Sequence, residues 1–575
     1  MKKSIIFYVW GGISLFAFVL ATFLIYAYFY DIPRSQVIAG LPRPIRNTID
    51  AVRNIPYLKY SFRSHSLSIY KLYIQDNDYQ KLKDALPNTA DQILDEDDII
   101  KVPAKLVYDG VERNVKVSPR GDTYPNWLFE KKAWNIEFTD GKLFNGYPEI
   151  KLVLPEFKDG FINPYRAKKL GLPTPAGEGE FVILKINDGP EMVYLQKEGW
   201  TKEFLKRHFG TDNGNLYGEI GVLDPIFTST AFWKKYVSVV GEENNYADLE
   251  YLLYLINDAP NDEFVNKIFT VIDADNFYSW HIHSLLAGST HQDARHNIRL
   301  FFNREKGKFF FIPWDVFLYD WAATLGRPRE AKIYGMDFNN NPLIARILAN
   351  PEFLLERNKR LWAYVGNDDN LADDLAHFDT IADRVDSAIF SDSVKFNSNA
   401  RTEAKIDADR STIGSNYAFL REQLDNAEAS VGISLRPASI AAIAINFTYK
   451  GASPINFNGF KISLRNLNPA HTFQLYEDAN NNNIFDAADK KNSVLEYKNN
   501  VLSAQGLNLM LYSNRTGNGP GNPIILQVTR KRFFVVAQIP YAVDSADASF
   551  TMFNEVTGSK LDPTIHVNNL NSLEL

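Results

Sequence analysis

The sequence of 575 residues contains no cysteine, and this absence narrows the chemistry open to it. Disulfide bonds, thiolate nucleophiles and Cys-ligated zinc or iron–sulfur centres are excluded. Basic residues are not in excess, since 62 Lys and Arg stand against 69 Asp and Glu, which gives a net charge of −7. Nucleic-acid binding needs a basic surface, so no nucleic-acid partner is expected. The sequence also lacks internal repeats of the length found in solenoids and propellers.

Residues 4–30 form an uncharged, strongly apolar run. At about 1.5 Å per residue, a helix of this length crosses a hydrocarbon core of roughly 30 Å. A cleaved signal peptide is the alternative, although its apolar region is usually only about 7–15 residues long. We predict that residues 1–30 are a transmembrane signal-anchor. The protein would then be a single-pass cell-membrane protein whose bulk is extracytoplasmic.

The rest of the chain divides into three parts by composition and pattern. Residues 31–66 are rich in Pro and Arg, which is typical of a juxtamembrane linker. Residues 67–430 mix strands and helices, and Asp109-Gly110 between two alternating runs predicts a hairpin there. Residues 431–575 contain short alternating runs with Asn and Gly turns, which predict a β-sandwich domain.

An Asp, an Asn and a second Asp follow one another around a predicted strand pair. Asp293 and Asn297 are four residues apart, and Asp315 ends the apolar strand that comes after them. Proteins usually hold Mg²⁺ with one or two such oxygen ligands together with substrate phosphates. The order therefore supplies a candidate base and two candidate metal ligands. The alternative is a polar loop in which these residues only cap turns.

Two other sets of charged residues are suited to phosphate binding. Arg120 stands before a Gly turn at a strand end, and Lys131 and Lys132 lead into the next strand. These cations can face phosphate oxygens, or they can form a solvated basic edge. Glu198 precedes a helix, where it can pair with a phosphate-binding lysine as in protein kinases. Alternatively it is a first-turn acid favoured by the helix dipole.

Taken together, these residues resemble the spore-coat protein H (CotH) kinase family of atypical protein kinases. The similarity covers roughly residues 67–430. The motifs that carry it are Arg120-Gly121, Lys131-Lys132, the VYLQKE segment that ends at Glu198, the Asp293/Asn297 pair and the IPWD segment that ends at Asp315. The predicted fold class is accordingly α+β: an atypical protein-kinase-like core followed by an all-β sandwich, with one N-terminal transmembrane helix.

The resemblance implies that ATP and Mg²⁺ are the cofactors. Lys131 or Lys132 would contact the ATP phosphates, with Glu198 and Arg120 nearby. Asp293 would orient or deprotonate the acceptor hydroxyl, and Asn297 and Asp315 would hold Mg²⁺. The acceptor would be a Ser or Thr of a protein substrate at the cell surface or in an exported compartment.

Two departures from the family pattern leave alternatives open. Many members have a second acid in a PWD-x-D motif, where this sequence has Phe317. Some relatives space the acid and the Asn by five residues, so Gln292 could occupy the position of the acid instead of Asp293. ATP is also scarce outside the cytoplasm. The second hypothesis is therefore a catalytically inactive, membrane-anchored surface protein that binds a partner. A carbohydrate hydrolase would need a carboxylate pair that no feature of the sequence singles out.

Residues 478–489 have the oxygen spacing of a calcium loop. The alternative is an Asx-rich hairpin tip that holds no metal. We predict a Ca²⁺ site in the C-terminal domain, with ligands from Asp478, Asn480, Asn482, Ile484 (by its carbonyl), Asp486 and Asp489.

Overall fold

The computed structural model of the protein describes residues 55–569 with internal gaps. The gaps are residues 90, 95–97, 140, 156–159, 222–223, 322–334, 338–340, 437–438, 465–471, 513, 517–524, 528, 542 and 544–545. The predicted anchor, residues 1–30, lies outside the described residues, as does most of the predicted linker. Short 3₁₀ segments occur at Ile55–Tyr57, Tyr124–Asn126, Ile226–Thr228, Thr230–Phe232 and Gly335–Asp337.

The first region is a seven-stranded sheet that closes on itself. Its strands are β1 Ser68–Tyr73, β2 Val102–Tyr108, β3 Val111–Pro119, β4 Trp134–Phe138, β5 Glu149–Val153, β6 Ala176–Ile186 and β7 Glu191–Glu198. The helices in this part of the chain are α1 Leu58–Ser61, α2 Asp76–Asp84 and α3 Asn163–Lys169. The strand order is β1-β2-β3-β4-β5-β7-β6, and β1 closes the sheet by pairing in parallel with β6.

Alternating apolar residues explain why these strands enclose a core. Leu72, Leu106, Ile136, Ile150 and Leu184 are fully buried inside the closed sheet. Successive side chains of a strand point to opposite faces, so alternate positions fill the interior. The hairpin predicted at Asp109-Gly110 is confirmed between β2 and β3. Both residues have positive φ, 50° and 72°, as a two-residue hairpin turn of this kind requires.

The second region combines a four-stranded antiparallel sheet with helices. The strands are β8 Gly214–Glu219, β9 Trp233–Val237, β10 Arg299–Asn303 and β11 Lys308–Phe311, in the order β11-β10-β8-β9. The helices are α4 Lys202–Phe209, α5 Ala247–Asn257, α6 Asn261–Val271, α7 Ala274–Ala287, α8 Pro342–Leu348, α9 Pro351–Val365, α10 Asp368–Ser391 and α11 Asn399–Asp425. Gly210 ends α4, because it adopts the left-handed conformation at the C-cap, which glycine reaches without strain.

The third region is all β. Its strands are β12 Ala427–Leu435, β13 Ile443–Gly451, β14 Ile455–Leu464, β15 Phe473–Glu477, β16 Lys490–Lys498, β17 Val501–Ala504, β18 Leu509–Leu511, β19 Asn514–Thr516, β20 Ile525–Gln527, β21 Thr529–Ala537, β22 Ala546–Asn554, β23 Lys560–Leu561 and β24 Thr564–Asn569. The main path runs β23-β22-β14-β17-β16-β15-β21-β13-β12-β24. Strand β18 pairs with β14, and β19 pairs with β20 in a separate ribbon.

The predicted fold class is wrong. In place of a kinase-like core, the described residues form the closed sheet and a four-stranded sheet covered by helices. In place of a sandwich of two separate sheets, β16 pairs with both β15 and β17 and joins all strands of the main path into one sheet. No helix in the described part of the chain has both the length and the apolar character to span a bilayer. Strand patterns indicate faces, but they do not specify which distant edges pair.

Candidate functional site

The site lies at one end of the β10–β11 hairpin. Asn297 precedes β10 by two residues, and Asp315 follows the end of β11, so antiparallel pairing brings both to the same end. Each has a left-handed backbone, with φ of 63° for Asn297 and 47° for Asp315. Asn and Asp tolerate this conformation better than other non-Gly residues. Local turn chemistry therefore presents an amide and a carboxylate side by side.

His291 connects the two turns. Its Nδ1 atom lies 2.9 Å from Asn297 Nδ2 and 3.3 Å from the carbonyl oxygen of Asp315. The same Asn297 Nδ2 donates to the His291 carbonyl at 3.1 Å. Because Nδ2 makes both contacts, Asn297 Oδ1 is left for a ligand. Burial lowers the pKa of His291, an effect reinforced by His296 and opposed by Asp315.

Gln292 fixes the backbone of the Asp315 turn. Its Nε2 atom donates to the carbonyl oxygens of Trp314 at 2.9 Å and Asp315 at 3.2 Å. Its Oε1 atom accepts from the hydroxyls of Ser284 and Ser289. The side chain is buried. The geometry therefore gives Gln292 a positioning contact to the loop, and Asp293 is the acid that remains beside it.

Three cations surround the indole of Trp314 next to Asp315. Lys197 Nζ lies 5.0 Å from the ring centroid and 3.7 Å from Asp315 Oδ1. The guanidinium carbons of Arg299 and Arg120 lie 5.5 Å and 5.9 Å from the same centroid. Cations favour the face of an aromatic ring at such distances.

The cations at this turn have carboxylates beside them. Arg299 is paired with Glu219, and both side chains are buried. Burial lowers the pKa of Arg120, and Asp315 is the main group that opposes this effect. The carboxylates near Arg120, Lys197 and Arg299 are those of Glu219, Asp315, Asp122 and Glu149. Arginine and lysine in such an arrangement favour phosphate oxygens.

Asp293 lies at the edge of this group. Its Oδ1 atom accepts hydrogen bonds from the backbone N–H groups of Arg295 at 2.8 Å and His296 at 3.2 Å. His296 Nδ1 lies 2.8 Å from the same oxygen, and the His296 ring centroid is 4.7 Å from that of His291. Burial raises the pKa of Asp293, but these hydrogen bonds outweigh it and the pKa is lowered. The carboxylate is therefore ionised at neutral pH.

The lysines predicted to contact ATP lie elsewhere. Lys131 Nζ is 2.7 Å from Asp392 Oδ2, and less than a twentieth of either side chain is exposed. Lys132 Nζ donates to the carbonyls of Trp127 at 2.7 Å and Phe129 at 2.8 Å. Burial, together with the charge of Lys83, lowers the pKa of Lys132 to about 8. The structure does not bring Lys131 or Lys132 to the Asp315 turn in the described contacts.

Glu198 also faces away from the turn. It pairs with Arg207, and its Oε1 atom lies 3.2 Å from His208 Nε2. Its neighbour on β7, Lys197, is the residue that reaches Asp315. Adjacent residues of a strand point to opposite faces, so Lys197 and Glu198 cannot serve the same site. Sequence reasoning missed Lys197, although this alternation was the signal that could have found it.

Arg299 and Glu219 were missed as well. Arg299 interrupts an apolar strand, and Glu219 ends β8 one residue after Gly218, the residue that pairs with Arg299. A charged side chain within a buried strand is almost always paired with a group of opposite charge. Phe317, which stands where the family has a second acid, packs on His291 with ring centroids 4.9 Å apart.

The donor set fits a magnesium ion completed by phosphate oxygens. Within the described ranges, no group of three or more His, Asp or Glu side chains is arranged to hold a metal. Asn297 and Asp315, the predicted Mg²⁺ ligands, would supply two oxygen atoms to such an ion. Mg²⁺ commonly takes only one or two such groups from the protein and the rest from phosphate and water.

The predicted calcium loop is held by its own hydrogen bonds. Asp478 Oδ1 and Oδ2 accept from the backbone N–H groups of Asn482 at 3.2 Å and Asn483 at 3.0 Å. Asn480 and Asn482 both donate to Asp486 Oδ2, at 3.0 Å and 2.6 Å. Asp489 accepts from the backbone N–H groups of Ala479 and Asp486, and Ile484 donates its N–H to Asn482 Oδ1. Such contacts fit an Asx-rich tip, and the Ca²⁺ site stays a prediction.

A thermal melt of the full chain tests the calcium prediction. If residues 478–489 bind Ca²⁺, millimolar CaCl₂ should raise the melting midpoint of the C-terminal region by a few degrees over EDTA, since a ligand of the folded state stabilises it. Asp486→Asn should remove this rise. An equal midpoint in CaCl₂ and EDTA would rule the site out.

Part of the chain is similar to a known protein family. Residues 117–368 match the family described as CotH kinase protein. This range contains Arg120, Lys197, Asp293, Asn297 and Asp315, so the whole cluster falls within it.

A particular relative is the inner spore coat protein H of Bacillus subtilis strain 168. It is 27% identical over 302 residues, which cover 50% of this chain and 78% of the relative. The two matches support a CotH-like protein, as the sequence resemblance indicated. The match is narrower than the predicted residues 67–430.

Proposed function

We propose that this CotH-like protein catalyses Mg²⁺- and ATP-dependent phosphoryl transfer to a Ser or Thr hydroxyl of a protein. The observation that carries the proposal is the convergence of Lys197, Arg120 and Arg299 on the Trp314–Asp315 turn. Phosphoryl transfer needs positioning and charge neutralisation more than covalent chemistry. Three cations next to the Asn297 and Asp315 oxygens would provide both.

Each side chain of the cluster has a distinct task in this proposal. Lys197, Arg120 and Arg299 neutralise and orient the phosphates, and Asn297 Oδ1 and the Asp315 carboxylate are the residues that would hold Mg²⁺. An ion held there would supply positive charge to the phosphates. Asp293 Oδ2 would accept a hydrogen bond from the acceptor hydroxyl and orient it. An ionised Asp can do this without an unusual pKa, because reach matters first.

The place of action is proposed from the relative alone. That protein is named for the spore coat, so we propose a surface or exported setting for this chain. The substrate would be another protein in that surface or exported setting.

A non-catalytic binding protein is the second candidate. The observation that favours it is Phe317, which covers His291 at the position where the family pattern has an acid. The close approach of Lys197 to Asp315 is also compatible with a cluster that is only structural. This candidate requires that no Mg²⁺-dependent nucleotide binding occurs.

Nucleotide binding by two matched lysine variants tests the proposal. Lys197→Met should weaken Mg²⁺·ATP binding by roughly 10- to 100-fold, since a charge-assisted contact is lost. Lys132→Met should change the affinity by less than about twofold, because that ammonium is used by the Trp127 and Phe129 carbonyls. Isothermal titration of the full chain with ATP, with and without Mg²⁺, measures both.

Two outcomes contradict the assignment. If Lys132→Met loses affinity and Lys197→Met keeps it, the phosphates bind at the basic edge instead of the Trp314 cluster. If the unaltered chain does not bind ATP at millimolar concentration in Mg²⁺, the non-catalytic candidate replaces the proposal.

A further inference from the structure

The segment that follows β11 carries Asp315. Residues 312–320, all of which the structure describes, belong to neither a helix nor a strand. Buried backbone N–H and carbonyl groups outside such elements need other hydrogen-bond partners. In this segment three buried side-chain amides, each from a different part of the fold, supply them.

Two of these amides hold the three consecutive carbonyls around Asp315. Gln292 binds the first two, as described above. Asn163, at the start of α3, donates from Nδ2 to the carbonyl oxygen of Val316 at 2.5 Å. Only 3% of Asn163 is exposed, and its own carbonyl oxygen lies 2.8 Å from Nε2 of His283 on α7. The backbone on both sides of the carboxylate is therefore fixed.

The third amide, Asn416, holds the far end of the segment. It lies on α11 and is fully buried. Its Oδ1 atom accepts from the backbone N–H of Trp321 at 3.0 Å, and its Nδ2 atom donates to the Tyr319 carbonyl at 2.9 Å. The same Nδ2 atom lies 3.2 Å from the Leu286 carbonyl in the last turn of α7. One side chain thus joins the segment to two helices.

The segment also lies directly against the end of α7. The Tyr319 N–H donates to the Ala287 carbonyl at 2.7 Å. Gly288 ends this helix with a φ of 64°, and a Cβ atom at this position would collide with the Tyr319 carbonyl oxygen. Glycine permits both the positive φ and the close approach. Tyr319 is therefore fixed between α7 and Asn416.

This anchoring decides which face of the segment carries the carboxylate. Val316 and Leu318 are buried, whereas Asp315 and Phe317 at the alternate positions are only half-buried. Because side chains of an extended segment alternate between two faces, a slip by one residue would exchange these sets and bury the carboxylate. Amides that bind particular carbonyls prevent such a slip.

We propose that Asn163 and Asn416 are positioning residues that hold the Asp315 carboxylate in the orientation in which it binds Mg²⁺. This inference rests on the proposed function, since it gives the two amides a task in the same site. Metal ligands depend on such surrounding contacts for their orientation, and loss of one contact typically lowers metal affinity about 10- to 100-fold. Asn416 lies beyond residue 368, outside the range that matches the CotH family.

Titration of the full-length Asn416→Leu variant with ATP, with and without Mg²⁺, tests the assignment. The affinity for ATP in Mg²⁺ should fall about tenfold, because the carboxylate is no longer held in place. The affinity for ATP in EDTA should not change, since Lys197 and Arg299 lie on β7 and β10 and not on the segment. Asn163→Leu should give the same pattern. A merely structural role would not separate the two conditions.

Asn358→Leu is the matched control. Asn358 is a fully buried asparagine on α9. Its Nδ2 atom donates to the Ala452 carbonyl at 2.9 Å, and its Oδ1 atom accepts from Arg357 Nε at 2.6 Å. Neither partner belongs to the Asp315 segment. The variant removes the same type of buried amide, so it should lower the stability while leaving the affinity for ATP unchanged in both conditions.

Asn416→Asp with hydrogen exchange provides a second readout. This variant keeps an oxygen that accepts from the Trp321 N–H and loses the donor to the Tyr319 carbonyl, so it perturbs the fold less than leucine does. In the free protein, the backbone N–H groups of residues 316–321 should exchange at least about fivefold faster than in the unaltered chain, because the segment opens more often. Asn358→Leu should not change their exchange.

Three results would overturn the inference while the unaltered chain still binds ATP in Mg²⁺. The first is an unchanged affinity in Asn416→Leu and Asn163→Leu, or an equal loss with and without Mg²⁺. The second is the same Mg²⁺-specific loss in Asn358→Leu. The third is unchanged exchange of residues 316–321 in Asn416→Asp. In each of these cases the proposed function stands. If the unaltered chain itself does not bind ATP at millimolar concentration in Mg²⁺, the proposed function and this inference both fall.

Discussion

Asp315→Asn is expected to lower the rate of phosphoryl transfer by at least about 100-fold and to remove the Mg²⁺ dependence of ATP binding. The carboxylate is the one anionic metal ligand in the proposed set, and it stands 3.7 Å from Lys197. Asn keeps the size of the side chain and tolerates the positive φ of 47° at this turn. The loss would therefore reflect charge and not a misfolded loop.

Transfer of labelled phosphate from ATP to protein, at matched concentrations of the variants, measures this effect. Asp275→Asn is a suitable control, because its side chain is 82% exposed and lies on α7 within the same matched range. It should retain full activity. If Asp315→Asn retains Mg²⁺-dependent ATP binding, Asp315 is not a ligand and the proposed metal site is incorrect.

The local features of the fold were predictable because short-range chemistry sets them. The Asp109-Gly110 turn and the left-handed Gly210 at the end of α4 both follow from residues that tolerate positive φ. The turns that present Asn297 and Asp315 belong to the same class. These features depend on a few neighbouring residues.

The long-range features were not predictable from one sequence. Closure of the first sheet depends on β1 pairing with β6, which begins more than 100 residues later. The Lys131 ammonium donates a hydrogen bond to Asp392, which lies 261 residues away along the chain. Because of this pairing, the ammonium does not contact the Asp315 turn. No local pattern carries this information. The prediction of Glu198 instead of Lys197 was avoidable. Side chains alternate between the two faces along β7, so only one of these neighbours can face the turn.

Asp374→Ala is expected to destabilise the helical region strongly. The Asp374 carboxylate accepts from Arg166 Nε at 2.7 Å, and neither side chain is exposed to solvent. The hydroxyls of Tyr364 and Tyr417 donate to the same carboxylate at 3.1 Å and 2.9 Å. The Nζ atom of Lys169 lies 3.3 Å from Asp374 Oδ1. Removing one partner of a buried pair leaves the other charge uncompensated and costs about 3–5 kcal/mol.

The neighbouring residue provides a matched control. Asp373 is on the same helix, α10, and pairs with Lys169 at 2.8 Å, but its side chain is 52% exposed. Surface ion pairs contribute at most about 1 kcal/mol, so Asp373→Ala should have little effect on the free energy of unfolding. Chemical denaturation followed by the fluorescence of the buried tryptophans compares the two variants.

The double variant Arg166→Met with Asp374→Leu separates the cause of the destabilisation from simple loss of packing. If the cost of Asp374→Ala is an uncompensated Arg166 charge, replacing both members by apolar residues should recover a large part of it. If the double variant is less stable than Asp374→Ala, packing and the tyrosine hydrogen bonds dominate instead. An Asp374→Ala variant as stable as Asp373→Ala would contradict the expectation altogether. The network joins α3, α9, α10 and α11 behind α7, the helix that leads into the His291 loop, so its loss should also lower Mg²⁺·ATP affinity at the Asp315 turn.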